Sequence, residues 1–252
     1  MTSRGYLGYC TVLAFPLADE WALFDVGHYG DRHLLLAALE AWGLEPEGIR
    51  HVVLSHLHFD HCLNLPLFPE AAVYLARAEI EYAQKAAGGE DTALPDFWPA
   101  LLEKRKLVLV EKELTLSASC QLSLKPGHTP GGLVLLYQGS RRTAVCGDAI
   151  KNAWEALTGE IAQARAGRAA ARTSLEDILD WAEVIVPGHD RPFAWTDREP
   201  EFLAGFDWEI RGSLYPEAAD LPLLNIHLPA GTGRGQVGHI RTNPKSTNEE
   251  EG

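Results

Sequence analysis

Basic residues are in short supply in this 252-residue chain, where 22 Lys+Arg stand against 35 Asp+Glu for a formal charge of -13. Long-range attraction to a phosphate-rich partner is disfavoured by that balance, and no nucleic-acid partner is expected. No run approaches the roughly 18–20 consecutive apolar residues needed to cross a bilayer, so no membrane association is expected either. The opening MTSRGYLGYCTVLAFPLADEW carries one arginine, and Asp19, Glu20 and Trp21 break its short apolar stretch, which does not fit a secretory leader. Cysteine is confined to Cys10, Cys62, Cys120 and Cys146, with no CxxC pair. A zinc ribbon and a thioredoxin-type motif are thereby excluded. Set among apolar or small neighbours, the four read as buried, reduced thiols, which points to the cytoplasm. A GxSxG elbow and a P-loop are missing as well. GRGQVG near the C-terminus matches GxGxxG by letter only, without a βαβ context.

What is present is ordinary globular material: 46% hydrophobic and 23% charged residues, enough for a sizeable core. The runs at 9–17, 21–27, 51–56 and 71–76 read as strands, and 31–43 and 77–89 as helices, the first stopped by Gly43. A further short helix is expected within 94–106, then four or five strands between 107 and 149. Helices resume after Ile150, one of them opening at Ser174 with Asp177 three residues on. A strand follows at 183–190, a helix at 199–210 and a last strand at 221–228. Two mixed halves of this kind suit an α/β sandwich: two sheets face to face with helices outside. One domain over 1–228 is expected, followed by a polar, Gly-rich and flexible tail, 229–252. A homodimer is left open.

The chemistry concentrates at strand ends. HVVLSHLHFDHC, residues 51–62, places His56, His58, Asp60 and His61 within six positions. PGHTPGG, VCGDAI and VIVPGHD each put one more metal-capable residue after an apolar run: His128, Asp148 and His189. If those strands lie side by side, their ends share one rim. Neutral imidazole and carboxylate suit zinc. Residues two apart in an extended segment point the same way, so His56 and His58 can grip one ion while Asp60 and His61 face a second. Asp148 could offer one oxygen to each, at the roughly 3.5–4 Å separation of two-metal sites.

HLHFDH, GHTPG, GDA and PGHD, with LFDVG before them, run in one order from about Leu23 to Asp190. In that order they resemble the metallo-β-lactamase-fold hydrolases. The resemblance implies a four-layered αβ/βα sandwich with the site along one edge. It implies His56, His58 and His128 on one metal, Asp60, His61 and His189 on the other, and Asp148 between them, with Asp25 supporting the rim without ligating. Two Zn2+ per chain are expected, iron or manganese being the alternatives. Retention of Asp148 argues against a true β-lactamase, and the absence of a substrate-grasping insertion against a nuclease. Glyoxalase II and the lactonases match best in motif, although GHTPGG ends in Gly132 where His or Ser is common. Too little chain follows His189 for a glutathione-binding domain.

The expected activity is therefore that of a dinuclear zinc hydrolase. Metal-bound hydroxide would attack a small ester, thioester or lactone, and Asp60 would act as a catalytic residue by orienting it. The alternatives are an iron-dependent oxidoreductase of the persulfide dioxygenase kind and a phosphodiesterase or nuclease. Contact of His28, Lys151, Asn152, Trp98 or Trp154 with substrate is left open, and no partner other than a small-molecule substrate is expected.

Overall fold

Apolar residues that alternate sides along short strands build two sheets, each apolar on both faces. The computed structural model describes residues 9–86 and 89–205, and the backbone alone for the short strands Thr2–Ser3, Tyr6–Leu7, Trp208–Gly212 and Leu224–Leu228. The first two of these, β1 (Thr2–Ser3) and β2 (Tyr6–Leu7), pair as an antiparallel ribbon. The first large sheet has the order β3 (Leu13–Leu17), β4 (Glu20–Phe24), β5 (Ile49–Val53), β6 (Ala72–Ala76) and β7 (Lys106–Val110). Its first pair is an antiparallel hairpin and the remaining neighbours are parallel.

The second large sheet runs β8 (Glu113–Thr115), β9 (Cys120–Leu124), β10 (Leu133–Gln138), β11 (Arg142–Val145), β12 (Val184–Val186), β13 (Phe193–Thr196) and β14 (Glu199–Phe202). Every neighbouring pair in it is antiparallel except β11 with β12. That parallel pair needs a crossover, which α5 (Ala153–Thr158) and α6 (Arg168–Trp181) supply. On the first sheet the parallel links carry α1 (Arg32–Ala41), the one-turn α2 (Phe59–Cys62), α3 (Arg77–Lys85) and α4 (Trp98–Leu102).

Three apolar layers separate four structural ones. Phe24, Val53, Leu122, Leu133, Leu135 and Val145 fill the space between the sheets. Leu23, Val52 and Val73 face the other way, onto Leu35, Leu39, Ala83 and Leu101 of the helices. Val134, Ala144, Ile185 and Phe193 do the same toward Leu175 and Ile178 of α6. Adjacent residues such as Leu23 and Phe24, or Val134 and Leu135, thus serve opposite layers, as the two-residue period of a strand requires. The result is the expected αβ/βα sandwich of two mixed sheets with helices outside.

Two sequence expectations are corrected. The helix expected over 199–210 is instead strand β14 followed by strand β15 (Trp208–Gly212). Asp197 (φ 53) and Arg198 (φ 62) both adopt left-handed backbone, the geometry of a tight hairpin turn. It folds Glu199–Phe202 back onto β13, where the Phe202 ring meets Phe193 at 6.1 Å between centroids. Ser174 does not open a helix: α6 already begins at Arg168, and Ser174 lies buried within it. Its hydroxyl donates to the Pro126 carbonyl (2.7 Å), tying α6 to the loop that carries His128.

The chain forms two compact units, Met1–Phe202 and Leu203–Gly252. In the second, β15 pairs antiparallel with β16 (Leu224–Leu228). The tail expected at 229–252 lies outside the described residues. Among the described residues no helix is long and apolar enough to cross a membrane.

Leu122 has no exposed surface and packs between the sheets. Leu122→Ala is expected to cost about 2–5 kcal/mol of unfolding free energy, read as a lower urea midpoint with an unchanged slope.

Candidate metal centre

Four loops meet at one edge of the sandwich because the strands that precede them end there. β4 ends at Phe24, and Asp25 follows with φ 57, a left-handed conformation that is strained for an aspartate. That turn aims both oxygens of Asp25 inward. Oδ1 accepts the Ser55 backbone N–H (2.7 Å) and Oδ2 lies 2.8 Å from His61 Nδ1. β5 ends at Val53, and His56 and His58 follow in extended chain before α2 delivers Asp60 and His61. The β9–β10 connection carries His128, the short turn after β11 carries Asp148, and the turn after β12 carries His189.

All seven sequence-derived residues converge. Ligand atoms of His56, His58 and His128 lie within 4.8 Å of one another, and so do those of Asp60, His61 and His189. Asp148 sits between the two sets. Its Oδ2 is 3.2 Å from His128 Nε2, and its Oδ1 is 3.2 Å from His61 Nε2 and 3.0 Å from His189 Nε2. Asp60 Oδ2 lies 3.6 Å from His189 Nε2 and 3.9 Å from His61 Nε2. Despite these short distances, His56 Nε2, His61 Nε2 and Asp148 Oδ1 are buried with no aligned hydrogen-bond partner. Orphaned buried polar atoms are costly, and a pair of divalent cations, one in each set, would satisfy all three.

The outer nitrogens are each held by a different group. Ser55 Oγ lies 2.9 Å from His56 Nδ1, and Asp91 Oδ2 lies 2.9 Å from His58 Nε2. Asp25 holds His61, and the Tyr9 carbonyl accepts from His189 Nδ1 (2.8 Å). Lys151 Nζ lies 3.0 Å from His128 Nδ1. Outer contacts of this kind orient metal-binding imidazoles.

Burial pushes the His56 and His128 imidazoles well below their ordinary pKa, so both stay neutral with a lone pair available. For His61 burial works in the same direction, but Cys10 and the carboxylates of Asp148, Asp25 and Asp60 outweigh it and raise the pKa. Burial also opposes ionisation of Asp148. The surrounding His189, Lys151, His61 and His128 overcome that and hold its carboxyl well below the usual range.

Several supporting residues carried no sequence signal. Asp91 joins His58 to Tyr82 and Arg165, accepting from the Tyr82 hydroxyl at 2.5 Å and from Arg165 at 3.3 Å. Glu79, with no exposed surface, accepts the backbone N–H of Leu57 (3.0 Å) and of Gly131 (3.2 Å). It therefore clasps the loop of His56 and His58 to the loop of His128. Gly131 must be glycine there, because a Cβ would collide with the Glu79 backbone. Gly188 meets the same demand beside His189, where a Cβ would lie 2.6 Å from Asp148 Oδ1. Only the glutamate's place on α3, one turn of helix past β6, brings it to both loops.

The residues whose role the sequence left open now divide. Lys151 reaches the centre, whereas Asn152 caps α5 by accepting the Glu155 backbone N–H (2.9 Å). Trp98 is buried in the helix-side core and Trp154 is 55% exposed. His28 accepts from the Gly30 backbone, stacks on Tyr9 at 6.2 Å and lies 5.9 Å from Phe59, beside the second set of ligands. All four cysteines are free, but Cys10 is only partly buried, and its sulfur clusters with Asp25 and His61. Burial raises its thiol to about 11.

The profile of the metallo-β-lactamase superfamily matches residues 4–189, and the chain belongs to that superfamily. Metallo-beta-lactamase domain-containing protein 1 of Mus musculus is 33% identical over 185 residues, 68% of this chain and 60% of that protein. The chain thus spans under two thirds of that relative. The N-acyl homoserine lactonase AttM of Rhizobium radiobacter is 32% identical over 222 residues, covering 80% of this chain and 77% of the relative. Among solved structures, the dizinc quorum-quenching lactonase AidC superposes with a TM-score of 0.61 at 20% identity, over 76% of this chain and 78% of its own.

Glu79→Ala leaves two buried N–H groups without an acceptor, each worth about 1–3 kcal/mol. A clear loss of stability is expected in chemical denaturation, and Glu79→Gln, which keeps an acceptor oxygen, should lose less.

Proposed function

We propose that this chain is a metal-dependent hydrolase that holds two zinc ions and opens a small lactone, ester or thioester. The observation that carries the proposal is the pair of convergent ligand sets sharing Asp148, with inner atoms left without partners. Three imidazoles, His56, His58 and His128, would hold one ion. Asp60, His61 and His189 would hold the other, and Asp148 would serve both. This donor set, imidazole nitrogen and carboxylate oxygen, suits zinc. Ions bound there would supply an activated water and polarise the substrate carbonyl.

The protein's own groups do the rest. Asp25, Ser55, Asp91 and the Tyr9 carbonyl keep four rings in orientation. Asp60 and His189, at 15% and 20% side-chain exposure, are the ligands most open to solvent, which supports substrate entry on their side. Asp60 is assigned a second role there, orienting water for attack. The lactonase relatives support a lactone over other acyl compounds. The strong negative charge supports a small-molecule substrate over a nucleic acid, and the four free cysteines support action in the cytoplasm.

Metal analysis combined with a panel of lactones, thioesters, phosphodiesters and β-lactams tests the reading. About two zinc per chain and turnover of lactones or esters are expected. His58→Ala should lower kcat/KM by roughly 100-fold or more. About one iron per chain with oxygen consumption would replace this reading with an oxidoreductase, and full activity in His58→Ala would sink the mechanism.

A further inference from the structure

Residues 27–31, GHYGD, form a compact loop around one imidazole, His28, which is not a ligand of the centre. The backbone of His28 is held on both sides. Its N–H donates to Asp31 Oδ1 (2.9 Å), and its carbonyl accepts from the Asn64 side-chain amide (2.7 Å). Asn64 has no exposed surface. Its amide also donates to Asp31 Oδ1 (3.1 Å), and its oxygen accepts from Arg32 Nε (3.0 Å). Two glycines make the loop this tight. A Cβ on Gly27, which has φ 71, would lie 2.7 Å from Asp31 Oδ1, and one on Gly30 would lie 2.6 Å from His28 Cε1. A side chain held by such a loop meets a ligand with little reorganisation.

The same loop fixes the ring proton. The Gly30 backbone N–H donates to His28 Nδ1 (2.9 Å), so Nδ1 is the acceptor and the proton of the neutral ring lies on Nε2. Among the described residues no acceptor is hydrogen-bonded to Nε2, and Asp31 Oδ2, at 4.0 Å, is out of reach. A fixed N–H donor is thus left unused, on a side chain that keeps 13% of its surface exposed.

Its neighbours place that donor beside the open ligands. His28 stacks on Tyr9, whose carbonyl accepts from His189, and lies 5.9 Å from Phe59, which directly precedes Asp60. Ions in the centre would polarise the carbonyl that is attacked, so a donor outside the ring of ligands meets a different part of the substrate. The Asp31 carboxylate disfavours an anion next to Nε2 and favours a neutral oxygen.

We infer that His28 is a specificity-determining residue whose Nε2–H donates to a second, neutral carbonyl oxygen of the substrate, outside the group that is hydrolysed. The inference rests on the acyl-hydrolase reading above, and it narrows the substrate to acyl compounds that carry such a second carbonyl. Its test uses the zinc-loaded full chain and two esters of matched length. Phenyl N-acetylglycinate has the second carbonyl and phenyl pentanoate lacks it. The readout is the ratio of their kcat/KM values, because intrinsic reactivity cancels between variants. His28→Phe keeps a flat ring and His28→Leu an apolar side chain, and both remove the donor. Each should lower the ratio by about 5- to 10-fold, chiefly through KM for the acetylglycinate. His28→Gln restores a side-chain N–H and should keep more of the ratio than either. Circular dichroism verifies folding, and either donor-free variant alone suffices for the comparison. A merely structural ring would affect both esters alike, so a ratio that His28→Phe and His28→Leu leave unmoved would overturn the inference and spare the acyl-hydrolase reading. A wild type that hydrolyses neither ester would also overturn it, and one that turns over no lactone, ester or thioester would overturn both.

Discussion

Five imidazoles are held by their outer nitrogens, and four of them, His56, His61, His128 and His189, bring an inner nitrogen close to one buried carboxylate, Asp148. Everything else in the structure serves that arrangement. Burial keeps His56 and His128 neutral, and neutral rings with inward lone pairs repel one another unless something positive lies between them. Asp148 keeps its charge because cationic and imidazole groups surround it on both sides. A site of this kind is unfavourable by itself, and its persistence depends on rigid support from outside the ring of ligands.

The sandwich supplies that support. Loops carrying ligands leave β5, β9, β11 and β12, strands anchored by the shared apolar layer between the sheets. Neither sheet alone presents a complete set: the first gives His56, His58, Asp60 and His61, the second gives His128, Asp148 and His189. Glu79 and Ser174 then lock the loops, one by clasping two backbones together and the other by tying α6 to the chain before His128. A covalent neighbour could not do this work, since the loops lie far apart in sequence and meet only through packing.

The ligands were legible because metal chemistry restricts residue type and local geometry restricts spacing. His56 and His58 are two apart in extended chain, and Asp60 and His61 sit on the first turn of α2, so local periodicity placed them. Apart from Asp25, which the family resemblance marked, the supporting residues were not legible for the opposite reason. Asp91 and Glu79 look like ordinary surface charges of loop and helix, and only burial against a particular ring or a pair of loop backbones distinguishes them. The misreading at 199–210 has the same origin. A spaced set of aromatic and aliphatic residues suits a helix face, but the left-handed pair Asp197–Arg198 and the partner edge of β13 draw the chain into a hairpin. Ser174 resembled a helix start, yet Pro126 offered its hydroxyl a carbonyl across the fold.

By itself the sequence determined which atoms can bind a cation, the α/β order of the elements and the strand ends at which the ligands fall. These follow from residue chemistry and short-range periodicity. Tertiary structure decided the partner of each outer ring nitrogen: an acceptor for His56, His58, His61 and His189, a lysine for His128. Such pairings join residues separated by up to 180 positions, as between Tyr9 and His189, and are set by the register of two sheets that only the packed core brings together.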